Sequence, residues 1–184
     1  VEHLTLKDAV GVDGRGLLAY SNDGTIVACR VQNGATLQGT GAVGSLVGTN
    51  TGRIVACSHD GDTRAANATT VGGLVGENNG GTIVASFQAG AVTGGTQRYG
   101  VAPDGTLTGC YYNSTLATDV TAVEGVEGRT TFEMLHPNAA DESNFVADLN
   151  RALQGATPPE PYEYVDRASS YPIVQAKSGS TTTP

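Results

Sequence analysis

Short apolar runs recur at a constant spacing along the first 112 residues, and each is followed by a polar stretch containing Asn and Gly. The segment Leu18 to Cys29 aligns with Leu46 to Cys57 at an offset of 28 residues, and both end in Ile-Val-Ala-Cys. The third copy begins at Leu74, and one added glycine at Gly80-Gly81 lengthens its spacing to 29. A shorter fourth copy runs from Val101 to Cys110. This composition favours short strands and tight turns, because Ile, Val and Thr suit strands whereas Asn and Gly suit turns.

A repeat of this length predicts stacking, because one unit is too small to bury its apolar residues alone. We therefore predict a mainly β protein: a β-solenoid, specifically a right-handed parallel β-helix of about three and a half coils over residues 1–112, with ~4.8 Å between coils. Equivalent residues of successive copies should form columns. The predicted columns are Leu18/Leu46/Leu74/Val101, Ile26/Ile54/Ile83/Leu107, Asn22/Asn50/Asn78 and Cys29/Cys57/Cys110, with Ser86 in the third cysteine position.

Two features of these columns stay open at the level of sequence. The Asn side chains can bond amide to amide along the column, or each can cap its own turn. The stretch Ile26 to Val31 is apolar on both alternating faces, so periodicity does not decide whether Val27 or Cys29 points inward. A corner within this stretch would resolve the conflict.

The period ends after residue 112, and residues 113–176 form a predicted C-terminal capping region. An amphipathic helix is predicted over Phe145 to Leu153, with Asp141 or Ser143 as its N-cap. This helix needs an apolar surface to cover, and the open end of the solenoid is the nearest candidate.

Two short extended pieces should follow the helix, at Tyr162 to Val165 and at Tyr171 to Val174. Residues 177–184 are rich in Ser and Thr and have nothing to bury. We predict that they form a disordered tail.

The repeat resembles the GLUG repeat, which is named for a Gly-Leu-x-Gly signature. That signature is present as Gly73-Leu-Val-Gly76 and, degraded, as Ser45-Leu-Val-Gly48, whereas the first copy has Leu17-Leu-Ala-Tyr20 and lacks both glycines. The resemblance covers about residues 14–112. The helix segment followed by Tyr171-Pro-Ile-Val174 is similar to the ends of GLUG-containing surface proteins.

GLUG repeats occur in large secreted or surface-attached bacterial proteins, including adhesin-like and fimbria-associated ones, and beside the catalytic parts of immunoglobulin A-cleaving metallopeptidases. The resemblance therefore implies an extracellular or cell-surface location. A zinc peptidase needs His-Glu-x-x-His, and none of His3, His59 and His136 begins that motif. Any peptidase activity would thus lie outside this chain.

Charge and hydropathy narrow the classes of partner. Acidic residues outnumber basic ones by 18 to 10, which gives a formal charge of −8 and leaves no basic stripe for nucleic-acid phosphates. No window approaches the roughly 20 apolar residues of a membrane span, and no signal peptide is recognisable. Because the chain opens on Val1 rather than Met, we expect it to be a piece of a longer protein.

Candidate chemistry is sparse. The three cysteines share one repeat position with Ser86, and this exchange favours small packed side chains over a metal or redox cluster. A disulfide between Cys29 and Cys57 on adjacent coils is sterically conceivable. Asp60 and Asp62 are candidate calcium ligands, but the spacing of a calcium-binding loop is absent, which favours a solvated turn. No cofactor is predicted.

These observations predict a non-catalytic β-solenoid that presents repeated loops to a host glycan, a matrix protein or other subunits of a surface assembly. The variable segments that complete each coil, called returns, cover residues 31–41, 60–70 and 90–99. They are the predicted contact regions. One alternative is a carbohydrate-active β-helix enzyme or its accessory module, for which scattered arginines but no paired carboxylates are available by spacing. The other alternative is a purely structural stalk.

Overall fold

The computed structural model describes residues 1–7, 15–136, 144–156, 161–168 and 170–178. Over these residues the chain forms a β-solenoid of about four turns, and its helices lie in the C-terminal part. The predicted fold class, a mainly β solenoid with a helix near the C-terminus, is confirmed.

The strands follow one another in coils. Strand β1 (Thr5–Lys7) precedes the first coil, which contains β2 (Ala19–Asn22), β3 (Thr25–Val27), β4 (Arg30–Gln32), β5 (Ala35–Thr36) and β6 (Ala42–Gly44). The second coil contains β7 (Val47–Asn50), β8 (Arg53–Val55), β9 (Ser58–His59), β10 (Thr63–Ala65) and β11 (Thr70–Gly72). The third contains β12 (Val75–Asn78), β13 (Thr82–Val84), β14 (Phe87–Gln88), β15 (Val92–Gly94) and β16 (Gln97–Tyr99). The last, partial coil contains β17 (Thr106–Thr108), β18 (Cys110–Asn113) and β19 (Val126–Arg129).

The C-terminal part consists of two helices and one antiparallel strand pair. They are α1 (Thr131–Leu135), α2 (Phe145–Gly155), β20 (Tyr162–Arg167) and β21 (Ser170–Ala176).

Corresponding strands of successive coils pair in parallel and in register. Strands β3, β8, β13 and β17 form one sheet, in which Ile26, Ile54, Ile83 and Leu107 are direct neighbours. Leu18, Leu46, Leu74 and Val101 are likewise joined by backbone hydrogen bonds from one coil to the next. Parallel pairing continues past residue 112, because β19 pairs with β18 over four residues. The interior between these sheets is one continuous apolar core.

A sharp corner follows the Ile-Val pair in the first three coils and Leu107-Thr108 in the last. Ala28, Ala56, Ala85 and Gly109 occupy it with φ of 52°, 54°, 46° and 57°. A left-handed residue reverses the alternation of side chains, so the residues on its two sides face different environments. Cys29 and its column neighbours point into the main core, whereas Val55 and Val84 point to the outer flank.

The signature glycines lie where two sheets of the solenoid fold back on each other. A Cβ atom on Gly73 would stand 2.0 Å from the carbonyl oxygen of Gly100, and one on Gly76 would stand 2.4 Å from the amide nitrogen of Val43. Backbone meets backbone at this fold, so no side chain fits. The Gly-Leu-x-Gly pattern is therefore explained by close approach of the main chain.

Helix α2 packs along the flank of the solenoid, so the prediction that it covers the open end is wrong. Its buried side chains belong to a cluster that takes residues from successive coils, namely Val55, Ala56, Val84, Ala85, Phe87, Tyr111, Phe145, Leu149 and Leu153. The physical reason is the left-handed corner, which turns one valine of each of the first three coils outward and thereby builds an apolar stripe along the flank.

The N-cap of α2 is Asn144, whose side-chain oxygen accepts a hydrogen bond from the Ala147 amide at 2.9 Å. Asp141 and Ser143, the predicted caps, lie outside the described residues. Of the predicted tail at residues 177–184, only 177 and 178 are described. The predicted extended pieces correspond to β20 and β21.

Candidate functional site

The returns of the three complete coils form a second lobe, which we call the return lobe, beside the main core. Strands β5, β10 and β15 make one three-stranded sheet and β6, β11 and β16 another. A small apolar core lies between them and includes Leu37, Val43, Ala65, Val71 and Val92. The predicted contact regions at residues 31–41, 60–70 and 90–99 run through these two sheets. They therefore lie in register along one side of the protein.

One outward column of this return lobe is solvent-exposed. Thr36, Arg64 and Thr93 are direct neighbours on β5, β10 and β15, and all three are exposed. Arg64 is ion-paired with Asp62. The column thus offers two hydroxyl groups flanking an arginine whose charge is already partnered.

A second arginine on the return lobe is also held in place. Arg98 forms an ion pair with Asp119, and its guanidinium donates to the carbonyl oxygens of Gly94 and Gly95 at 3.2 Å each. Its Nε donates to the Asp119 carbonyl oxygen at 3.0 Å. This side chain fastens the return to the segment between β18 and β19 of the last coil.

The candidate calcium ligands bind protein groups. Asp60 accepts hydrogen bonds from Arg30 of the preceding coil, with 2.8 Å from Nε to Oδ2. Asp62 accepts from the Ala91 amide of the following coil at 2.8 Å and pairs with Arg64 through its other oxygen. Among the described residues, no three His, Cys, Asp or Glu side chains are grouped so as to hold a metal ion. In this structure both carboxylates cross-link coils.

The Asn column makes both types of bond that the sequence left open. The Nδ2 atom of Asn22 donates to Oδ1 of Asn50 at 2.7 Å, and Nδ2 of Asn50 donates to Oδ1 of Asn78 at 2.7 Å. Asn22 and Asn50 also donate to the carbonyl oxygens of Gly24 and Gly52 in their own turns. Each amide therefore caps its turn and joins its neighbour.

The thiols form a buried column of free cysteines. Cys29 and Cys57 occupy adjacent coils, Ser86 comes next, and Cys110 is on the last coil. The neighbouring Cys57 thiol lowers the pKa of Cys29 to about 6, while burial raises the pKa of Cys57. Burial also raises the pKa of Cys110 to about 12.

A cavity of about 200 Å³ lies beside the first thiol. Cys29 lines it, together with residues that include His3, Arg30, Ser58 and Arg167. The walls come from the N-terminal segment, the first two coils and the β20–β21 pair. Cys57 and Cys110 are not among the residues that line this cavity.

A buried polar cluster separates the main core from the return lobe. The imidazole of His59 is fully buried, with Nε2 2.8 Å from the Asn33 carbonyl oxygen and Nδ1 3.1 Å from the Thr63 hydroxyl. A carbonyl only accepts, so Nε2 carries the proton of the neutral ring, and the single Thr63 hydroxyl proton lies between two acceptors, Nδ1 and the Gly73 carbonyl oxygen 3.0 Å away. Burial lowers the pKa of His59, which favours this neutral form.

Sequence reasoning missed this cluster. In the strand register His59 lies between Val31 of the first coil and Gln88 of the third, so one column changes from apolar to polar. Such a change within an otherwise apolar repeat position is the signal that would have identified it.

A charged cluster fastens α2 to the last coil of the solenoid. Arg129 lies 3.0 Å from Asp148 and 3.7 Å from Glu133, and its guanidinium stands 5.2 Å from the centre of the Tyr111 ring. On the flank, the Tyr164 hydroxyl donates to the Ala85 carbonyl oxygen at 2.7 Å. The C-terminal part is thus attached by both polar and apolar contacts.

No helix among the described residues is long and apolar enough to cross a membrane. Comparisons of this chain with protein-family models, with curated proteins and with solved structures found no match.

Proposed function

We propose that this chain is a non-catalytic binding module of a secreted or cell-surface bacterial protein. The observation that carries the proposal is the in-register return lobe, which repeats the same outward positions at successive coils. Sites repeated at ~4.8 Å act on one ligand together, so individually weak contacts add up. The main core supports them as a rigid backing.

The chemistry of the return lobe suits a polar, uncharged ligand. Thr36, Asn67, Thr93 and Gln97 are exposed and carry hydroxyl or amide groups. Such groups donate and accept hydrogen bonds with sugar hydroxyls or with the polar surface of a matrix protein or of another subunit. The arginines of the lobe are paired with Asp62 and Asp119, so little free charge faces a partner.

The proposed location rests on the resemblance to GLUG repeats. The signature glycines of the third copy sit at the tight fold between two sheets, which is a structural role shared by every repeat that keeps them. The resemblance therefore supports membership of the repeat class, and through it an extracellular or cell-surface setting and an adhesin-like or fimbria-associated parent protein.

The proposal is tested by screening the full chain on glycan arrays and on a panel of matrix proteins. A variant with both Thr36→Asp and Thr93→Asp places carboxylates in the exposed column, and the matched control carries Thr25→Asp and Thr106→Asp on exposed positions of another sheet. We expect affinity for any hit to fall by roughly tenfold or more in the first variant only.

Other outcomes separate the alternatives. If no glycan or matrix protein binds reproducibly, the chain is a structural stalk. If an array glycan is cleaved during incubation, the chain is a carbohydrate-active enzyme and the proposal is wrong. If the Thr36→Asp and Thr93→Asp variant binds like the parent chain, or if both variants lose affinity equally, the return lobe is not the specific contact surface.

A further inference from the structure

Two of the three thiols are placed to react with each other. Arg30 and Ser58 are direct partners in parallel strands, so the residues before them, Cys29 and Cys57, are neighbours on adjacent coils. The Ser58 amide donates to the Cys29 carbonyl oxygen at 3.0 Å, which fixes the register at this point. Adjacent coils lie ~4.8 Å apart, within the roughly 4.4–6.8 Å between Cα atoms that a disulfide spans. Both side chains point into the main core.

The third thiol is excluded from this pair by its place in the column. Ser86 occupies the coil between Cys57 and Cys110. Two coils separate those sulfurs by ~9.6 Å, which is beyond the ~7 Å limit for a disulfide without backbone movement. Cys110 is therefore an internal control, equally buried and of the same repeat position.

Access to the pair is one-sided. The cavity of about 200 Å³ touches Cys29, while Cys57 is fully buried behind it. That volume admits a small solute but no macromolecule. Of the three cysteines, Cys29 is thus the one beside a space that a small oxidant can enter, and Cys57 is its neighbour on the next coil. The neighbouring Cys57 thiol lowers the pKa of Cys29 to about 6, which favours the attacking thiolate at Cys29.

We propose that Cys29 and Cys57 form a hydroperoxide-reactive pair that closes to a disulfide between the first and second coils. The Cys29 thiolate attacks the peroxide, the O–O bond breaks, and Cys29 becomes a sulfenic acid while hydroxide leaves and takes up a proton. The Cys57 sulfur then attacks the Cys29 sulfur, the S–O bond breaks, and water leaves with the proton of the Cys57 thiol. In sum, two thiols and one hydroperoxide give one disulfide, and the peroxide is reduced to water, or to water and an alcohol.

The experiment uses the reduced full chain treated with hydrogen peroxide, then alkylated under denaturing conditions and weighed intact. Trypsin separates the three thiols, because arginines at positions 15, 30, 53, 64, 98 and 129 place each cysteine in its own peptide. We expect the chain to lose the mass of two hydrogen atoms, the peptides of Cys29 and Cys57 to be linked, and the peptide of Cys110 to stay alkylated. Dithiothreitol should restore three alkylated thiols.

Two variants and one pH series sharpen the result. Cys110→Ser should react like the parent chain, whereas Cys57→Ser should stop at a Cys29 sulfenic acid that dimedone traps. The oxidation rate should level off above pH ~7 instead of rising toward an ordinary thiol pKa of ~8.5. Three alkylated thiols after treatment, preferential oxidation of Cys110, or disulfides only between chains would each overturn the proposal.

Discussion

The Asn column provides a quantitative test of stacking, and its central member is the residue to change. Asn50 is fully buried and takes part in three side-chain hydrogen bonds, with Asn22, Asn78 and the Gly52 carbonyl oxygen. In Asn50→Ala, Asn22 keeps its bond to its own turn, and the Gly52 oxygen keeps a donor in the Thr82 amide. The Oδ1 atom of Asn78 loses its Asn50 donor inside the protein.

The cost follows from these contacts. Leaving one buried acceptor without a donor costs about 1–3 kcal/mol, and losing two further net hydrogen bonds costs about 1 kcal/mol each. We therefore expect Asn50→Ala to lower the free energy of unfolding by about 3–5 kcal/mol. Asn22 lies at the outer end of the column, where water can replace the lost amide. Asn22→Ala should therefore lower the free energy of unfolding by only about 1–2 kcal/mol.

Urea unfolding followed by circular dichroism measures both values, and a double-mutant cycle isolates the link between neighbours. We expect a coupling of about 0.5–3 kcal/mol between Asn50→Ala and Asn78→Ala. If the three alanine variants cost the same and the coupling is zero, each Asn only caps its own turn, and the argument for a bonded column fails.

Three further perturbations test the flank, the buried imidazole and the charged cluster by urea unfolding. Leu149→Ala should lower the free energy of unfolding by about 3 kcal/mol because the side chain is fully buried against the flank. Arg151→Ala on the exposed face of the helix should change it by less than ~0.5 kcal/mol, and similar costs for the two variants would contradict the packing of α2. Because burial lowers the pKa of His59, the unfolded chain binds the proton at a higher pH than the folded chain, so the free energy of unfolding should fall as pH drops below ~6.5. His59→Gln should remove this loss, whereas His136→Gln, at an exposed position, should not. An unchanged pH profile in His59→Gln would refute the assignment. Arg129→Met should lower the free energy of unfolding by about 2–3 kcal/mol, since it removes the ion pair with Asp148 and the contact with the Tyr111 ring. A loss no larger than that of Arg151→Ala would show that the charged cluster contributes nothing to stability.

The columns could be predicted from the sequence because stacking places equivalent residues above one another. An offset of 28 residues between identical segments determines which residues become neighbours, as for Ile26 and Ile54. The inserted glycine at Gly80-Gly81 could also be aligned, since it lies in a turn and leaves the strands on both sides in register.

The placement of the C-terminal helix could not be predicted, because it depends on one backbone angle. Ala56 and Ala85 adopt a left-handed conformation that alanine rarely shows, so nothing in their identity signals a corner. Unless the corner is known, the sequence of an apolar run does not show that Val55 and Val84 point outward. The apolar flank, and the helix that covers it, follow from that orientation.

The His59 cluster illustrates a different limit. A lone histidine in a turn-rich repeat is most simply interpreted as a surface residue. Its burial depends on the Asn33 carbonyl oxygen, 26 residues away, and on the Thr63 hydroxyl, which itself donates to the Gly73 carbonyl oxygen. These contacts exist only after the second lobe has packed against the main core, so spacing alone does not show them.

The central claim, that segments one repeat apart lie directly over each other, is best tested by methyl NMR. The chain has four isoleucines, so selective labelling of their δ1 methyl groups gives four signals, and Ile173 serves as the reference outside the column. Strong nuclear Overhauser effects are expected between Ile26 and Ile54 and between Ile54 and Ile83, whose strands lie ~4.8 Å apart, and a much weaker one between Ile26 and Ile83 at ~9.6 Å. Absence of the first two contacts would contradict the solenoid and the roles derived from it.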